Sequence, residues 1–418
     1  MMYYHLFSES EMKAVTVTGG RPLFGSVSVS GSKNAALPIL FAAMTVGGTS
    51  RISALPKIGD TLATADILRS FGISVDTSSD LTVVRADAPI YSEPPAALTA
   101  GIRASTYLIG ACLGRFGRCR LPSIGGCGFS ARPIDIHIDA ARSFGARLCG
   151  DELICDGLCG AEIRLRLPSV GATVNSLLMA VRAEGESRIF GYAREPHVMA
   201  LVDFLRSAGA DITVAEECIC VSPSRLHGAD FRIIGDMIEA GTYLAAGLIT
   251  CGEVCVRGCP TEDMDAYFSF LQALGAQISV SGRDVTARKY YTPYRPCFTA
   301  EPYPGFPTDL QPIAAALAAT VLGAEIRDDV FPERFGYLEA LRPFGVRSRR
   351  FQGGAMVLRS EISPADIVVP DLRGGAAALL LALSADGESR IDAAHLIMRG
   401  YEDFDSKLCA LGAELSIN

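Results

Sequence analysis

A short phrase recurs six times along this chain, and nothing else in the sequence limits the possible folds as strongly. It reads LRSFGISV at Leu68, ARSFGARL at Ala141, LRSAGADITV at Leu205, LQALGAQISV at Leu271, LRPFGVRS at Leu341 and LCALGAEL at Leu408. The central glycines, Gly72, Gly145, Gly209, Gly275, Gly345 and Gly412, are separated by 73, 64, 66, 70 and 67 residues. A nearly constant period means one supersecondary unit built six times. Each copy predicts an amphipathic helix stopped by a left-handed glycine just past its end, followed by an alternating strand. Upstream of each copy stands a glycine turn leading into a strand, from GGTSRI at Gly47 to GESRI at Gly387.

Before each of those turns lies an apolar stretch rich in Ala, Gly, Ser and Leu: residues 32–46, 104–116, 171–184, 239–251, 309–322 and 373–386. Helices apolar on nearly every face must be buried, with sheets outside them. Three repeats on either side of a break at 232–236 give two lobes. The predicted division is 32–234 for one lobe, 12–31 plus 235–418 for the other, and 1–11 as an N-terminal extension, with Met12 a candidate initiator.

Buried helices also account for composition. The 418 residues are 49% hydrophobic, and the mean hydropathy of +0.28 is high. Yet the longest apolar runs are about a dozen residues, whereas a membrane span needs ~20. The N-terminus MMYYHLFSESE lacks a basic segment followed by an apolar run, so no secretion signal is expected and the cytoplasm is the expected compartment. Thirteen cysteines without a CxxC pair read as reduced thiols, with no metal site and no cofactor expected. A net charge of -8 with no Lys/Arg run argues against nucleic acid and gives no reason to invoke a membrane partner.

The informative residues gather where the buried helices begin. Lys33, Arg103 and Arg373 stand at helix starts, where a positive charge opposes the dipole unless an anion compensates it. That predicts an anionic ligand between the lobes. A second constellation, GGCGFSARPIDIH from Gly125 to His137, sets Cys127 in a glycine-rich loop, with Arg132 and His137 as positive charges able to lower the thiol pKa. Arg334 and Arg399 add further positive charge. Asp309 in FPTDLQ is the best-placed carboxylate, and its plainer reading is a helix cap.

With SGSKNAALP, IRAS, GGCGFSARPIDIH, FPTDLQ, FPERF, PDLRGG and RGYEDF on the page, the chain from about Val15 onward resembles the enolpyruvyl transferase family. The cysteine loop favours its UDP-sugar branch over its shikimate branch. The resemblance implies an α/β fold, a two-lobed inside-out α/β barrel of six units, three per lobe. It implies transfer of enolpyruvate from phosphoenolpyruvate to the 3-hydroxyl of UDP-N-acetylglucosamine, the first committed step of peptidoglycan synthesis. By the same resemblance, Lys33, Arg132 and Arg399 would hold the donor phosphate, with Asn34 beside it. Cys127 would protonate the enol carbon or form a covalent adduct, and Asp309 would take the hydroxyl proton. Arg103, Arg334 and Arg373 would fix the carboxylate and the tetrahedral intermediate. Uridine would lie against Arg132, Pro133, Ile134, Asp135 and Ile136 and against Ser169, Val170 and Gly171, with Val330 and Phe331 at the sugar or ring.

Three positions depart from the family pattern. Leu167 stands where a basic residue is usual, Met237 replaces an expected arginine, and the loop reads G-F-S after Cys127. These leave open a different nucleotide or sugar acceptor, or a catalytically silent UDP-sugar-binding paralogue.

Overall fold

The computed structural model describes residues 14–122, 134–289 and 294–417. The six apolar stretches form helices: α1 (Lys33–Val46), α2 (Leu108–Phe116), α3 (Val170–Ala180), α4 (Met237–Ile249), α5 (Gln311–Val321) and α6 (Leu372–Ser384). Their burial matches their composition, since every residue from Ile238 to Ile249 and from Leu372 to Leu383 is buried. Side chains such as Leu244, Leu317 and Leu381, at most 2% exposed, each contribute about 1.5 to 3 kcal/mol by leaving water.

The repeat glycines do what their position requires. Gly72, Gly145, Gly209, Gly275, Gly345 and Gly412 all have φ between 74 and 98 degrees, the left-handed region where a side chain is strained. Each reverses the chain from a partly exposed helix into an outer strand.

The second apolar stretch departs from expectation. It does not enter the α-helix directly: Arg103–Tyr107 form a 3-10 helix before α2. The Ser105 and Thr106 hydroxyls donate back to the carbonyls of Ile102 and Arg103, a local bond that competes with α-helical pairing and tightens the turn.

Contacts divide the chain into two compact units. Within the described residues the N-terminal unit comprises 31–122 and 134–234, and the C-terminal unit comprises 14–30, 235–289 and 294–417. Each holds three sheets and three of the buried helices. The sheets repeat a pattern: a parallel pair brackets a buried helix, and antiparallel strands extend it. Glu162–Arg164 runs parallel to Ser187–Phe190 around α3, Cys297–Ala300 to Gly323–Asp328 around α5, and Asp366–Val368 to Glu388–Asp392 around α6.

Two further parallel pairs close the units across long sequence separations. Phe24–Ser28, which precedes α1, pairs with Glu253–Arg257 after α4. Asp230–Arg232, which precedes α4, pairs with Thr49–Ser53 after α1. The strand before each crossing of the chain therefore completes a sheet in the unit being left.

Candidate active site

In the C-terminal unit the helix starts bring together one carboxylate and two arginines. Thr308–Leu310 form a 3-10 turn leading into α5, while α6 starts at Leu372 with Asp371 as its cap, accepting from the Arg373 and Gly374 N–H groups. This delivers Asp309 and Arg373 to the same place. Arg373 Nη2 donates to Asp309 Oδ2 at 3.1 Å, and Arg334 Nη1, from the loop after Gly323–Asp328, donates to Oδ1 at 2.7 Å. Both guanidinium side chains are 5% exposed and the carboxylate is 27% exposed.

Burial on its own would push the Asp309 carboxyl up, but Arg373 and Arg334 outweigh it and hold the group well below the usual carboxylate range. Asp309 is therefore not the helix cap that its position also allowed. Arg373 lies over the Tyr401 ring, 5.3 Å from its centroid, and the Tyr401 hydroxyl is bonded to Thr242 of α4 at 2.9 Å.

A supporting carboxylate stands behind this pair. Asp328 is fully buried, and its Oδ2 accepts from the Thr308 hydroxyl at 2.6 Å. Its Oδ1 accepts from the Val330 and Phe331 N–H groups at 3.0 and 2.6 Å. Arg334 Nη1 also donates to Thr308 Oγ1 at 3.1 Å. One side chain thus ties the Val330–Phe331 turn to the turn that carries Asp309. Arg399 follows the short helix His395–Met398, half-buried, and together with burial it depresses the pKa of His395.

In the N-terminal unit the charges are balanced differently. Ser32 caps α1, accepting from Ala35 N, and Lys33 at the first helical position contacts Asp60 at 2.7 Å. Asn34 beside it is half-buried. For Lys33 and Arg373 a protein carboxylate supplies compensating negative charge, which corrects the premise that only a ligand could do so but does not contradict the expected anionic ligand. Asp60 neutralises Lys33 and Asp309 neutralises Arg373 within the protein itself. Arg103 opens the 3-10 helix before α2, and burial lowers its pKa.

His137 is a second correction. It was expected to carry positive charge, but it is 4% exposed. Burial, with a smaller effect from Arg103, lowers its pKa to about 4, so it is neutral at pH 7. Asn175 of α3 donates to His137 Nδ1 at 2.7 Å and to the Thr106 carbonyl, and accepts from Gly110 N. That leaves Nε2 as the protonated ring nitrogen. The imidazole lies so close to Gly171 that a Cβ there would stand 2.6 Å from Cε1.

Ser169 caps α3 and accepts from Ala172 N, and Val170 and Gly171 form its first turn. Ile134 and Ile136 are half-buried, and Asp135 is exposed and paired with Arg166. Cys127, Arg132 and Pro133 lie outside the described residues. Leu167, just before the α3 cap, is 48% exposed.

Sequence reasoning missed Asp60 and Asp328, because neither belongs to a glycine turn or a helix-start motif. Asp60 had one signal, a carboxylate in the first turn of the helix Gly59–Ser70. Among the described residues no group of three metal-ligating side chains occurs, and no helix is long and apolar enough to cross a membrane.

Comparison with known proteins gives this constellation a family. Residues 17–408 match the family model described as EPSP synthase (3-phosphoshikimate 1-carboxyvinyltransferase). A UDP-N-acetylglucosamine 1-carboxyvinyltransferase from Nitratidesulfovibrio vulgaris is 35% identical over 97% of this chain and 99% of its own. One from Symbiobacterium thermophilum is 39% identical over 96% of this chain and 94% of its own. Among solved structures, the enolpyruvyl transferase NikO from Streptomyces tendae is 29% identical with a TM-score of 0.87, covering 97% of this chain and 99% of that one. An EPSP synthase from Acinetobacter baumannii, 17% identical with a TM-score of 0.75, shares the α/β fold. This chain belongs to the EPSP synthase family of enolpyruvyl transferases.

Proposed function

We propose that this protein transfers the enolpyruvyl group of phosphoenolpyruvate to the 3-hydroxyl of UDP-N-acetylglucosamine and releases phosphate. The observation that carries this reading is the buried Asp309–Arg334–Arg373 set, in a chain 35–39% identical to 1-carboxyvinyltransferases named for that acceptor. Adding an alcohol across an enol requires a base at the hydroxyl and an acid at the methylene carbon. Asp309 is the base in this reading and Cys127 the acid. Fixed cations then stabilise the departing phosphate: Lys33, Arg132 and Arg399 there, with Asn34 beside them, and Arg103, Arg334 and Arg373 at the carboxylate and the tetrahedral intermediate. Residues 132–136 and 169–171 take the uridine, and Val330 and Phe331 face the sugar or ring.

The domain reading that accompanies this is residues 32–234 and residues 12–31 plus 235–418 as two three-unit lobes of an inside-out barrel. The biological setting is cytoplasmic cell-wall biogenesis, with its consequences for cell shape and division.

The test is phosphate release with phosphoenolpyruvate and UDP-N-acetylglucosamine. Dependence on both substrates supports the reading, and folded protein that releases none contradicts it. A second reading, a different nucleotide or sugar acceptor, is favoured by the exposed Leu167 and by Met237 at the start of α4, both uncharged where the family resemblance leads to the expectation of a basic residue. Turnover with another acceptor, and none with UDP-N-acetylglucosamine, selects it.

A further inference from the structure

We propose that Arg334 and Arg373 form a lock on Asp309, occupying both its oxygens until the carboxylate of the incoming donor draws them off. Asp309 is then available to the acceptor's proton only when the donor is present. This rests on the reading of Asp309 as the base and explains how that base is switched on.

As it stands, Asp309 cannot act as an effective base. Oδ1 accepts from Arg334 at 2.7 Å and Oδ2 from Arg373 at 3.1 Å, and although each oxygen keeps a free lone pair, the two cations hold the proton affinity of the carboxylate down while both stay in place. The balance is poised for that change. Burial is the largest single influence on this carboxyl and pushes its pKa up, while the two guanidinium groups together pull it below the ordinary value. As they are drawn to another anion, the downward pull weakens against the upward push of burial and the proton affinity of Asp309 rises.

The arginines have somewhere to go. Arg373 Nη1 is buried without a hydrogen-bond partner among the described residues, a donor not used in the present arrangement. Arg334 keeps a bond to Thr308 Oγ1 when it leaves Asp309, and Asp328 holds that hydroxyl in place. Asp309 is more exposed than either arginine, so its oxygens can be reached once released. The other charged or titratable groups near this set include Asp328 behind Thr308, Tyr401 beneath Arg373, Tyr337 near Arg334, and Asp236 and Asp371 at the starts of α4 and α6. None of them reaches an Asp309 oxygen.

In the step that follows, the acceptor O–H bond breaks and its proton passes to Asp309. The oxygen pair forms the bond to C2 of the donor, whose methylene carbon receives a separate proton. Deprotonation before the donor arrives is disfavoured, because without the donor both arginines hold the proton affinity of Asp309 low.

Proton uptake on ligand binding tests this directly. Isothermal titration of the UDP-N-acetylglucosamine-saturated wild-type protein, in buffers of different ionisation enthalpy at about pH 5, counts protons taken up. The probes are 2-phosphoglycolate, which carries phosphate and carboxylate but no enol, and glycerol phosphate, which carries phosphate alone. Greater uptake with phosphoglycolate, by a large fraction of a proton, is expected, and Asp309→Asn should abolish the difference. Equal uptake with both probes, or no binding of phosphoglycolate, overturns the lock, and this comparison needs only wild-type protein. An unchanged difference in Asp309→Asn also overturns it. Because neither probe turns over, the result stands apart from whether phosphate release occurs with this acceptor.

Discussion

In the N-terminal unit, Lys33 at the start of α1 is neutralised by Asp60, 6% exposed, and the imidazole of His137 is buried and neutral. In the C-terminal unit, Arg373 at the start of α6 is neutralised by Asp309, 27% exposed and shared with Arg334. Each unit holds three sheets and three apolar helices with charges at helix starts. The difference lies in what the carboxylate can reach. Asp60 is enclosed and holds one cation in place. Asp309 is partly open, bound by two cations, and so suited to exchange partners. Similar units can therefore carry an enclosed pair that fixes one cation in place and a partly open carboxylate shared by two cations.

The largest expected effect tests that division. Asp309→Asn removes the base while leaving an amide of the same shape, and should lower the rate of phosphate release by about 10² to 10⁴. Asp60→Asn leaves Lys33 nearly buried without its partner and should instead cost stability, roughly 3 kcal/mol in denaturant unfolding. A loss of activity in Asp60→Asn as large as in Asp309→Asn, measured where both are folded, would erase the distinction.

The units should also differ in their response to pH. Glu239 of α4 is 2% exposed beside Lys407 and Ser30, and burial, against the opposing pull of Lys407, raises its pKa from 4.5 to about 7. The folded state then binds more protons than the unfolded one, so this group's stabilisation is complete below pH 4.5 and is lost as pH rises through 7. His137 behaves in the opposite sense. Its pKa is lowered from 6.5 to about 4, so its contribution is complete above 6.5 and is lost as pH falls through 4. Each amounts to on the order of 3 kcal/mol, and the two offset each other over the shared window. Glu239→Gln should leave a stability curve that falls toward acid more steeply than wild type, and His137→Gln one that falls toward neutral pH.

Packing changes should rank next. A Cβ at Gly110 of α2 would meet the Asn175 carbonyl at 2.6 Å, so Gly110→Ala should cost about 1 to 3 kcal/mol and loosen the His137 network. The smallest effect is expected from Arg166→Met, which breaks an exposed, solvent-screened pair with Asp135 and should leave the denaturant midpoint nearly unchanged.

The repeated framework was legible because it is periodic. Apolar helices with almost no polar face, and glycines at φ near 90 degrees, follow from local composition and local backbone geometry. The helix start at Arg103 was misjudged because Ser105 and Thr106 favour a tighter turn, a competition that apolar content does not reveal. In the candidate site, Asp309, Arg334 and Arg373 could be named from motifs. That they bind one another could not, because Arg373 is 64 residues from Asp309 and the contact depends on two different helices starting at the same point. Asp328, 20 residues from the Thr308 it holds, and Asp60 were invisible for the same reason. The charge state of His137 depends on enclosure by Asn175 and Gly171, which no spacing in the loop encodes.

The central claim is that the carboxylate of the C-terminal unit takes part directly in the proposed chemistry, while its counterpart in the N-terminal unit acts only by positioning Lys33. The most direct measurement is phosphate release from phosphoenolpyruvate and UDP-N-acetylglucosamine by wild type, Asp309→Asn and Asp60→Asn, side by side at saturating substrates. The account predicts turnover in wild type, a loss of about 10²-fold or more in Asp309→Asn, and a clearly smaller loss in folded Asp60→Asn, which keeps Lys33 but removes the carboxylate that positions it. Wild-type turnover undiminished in Asp309→Asn would contradict it.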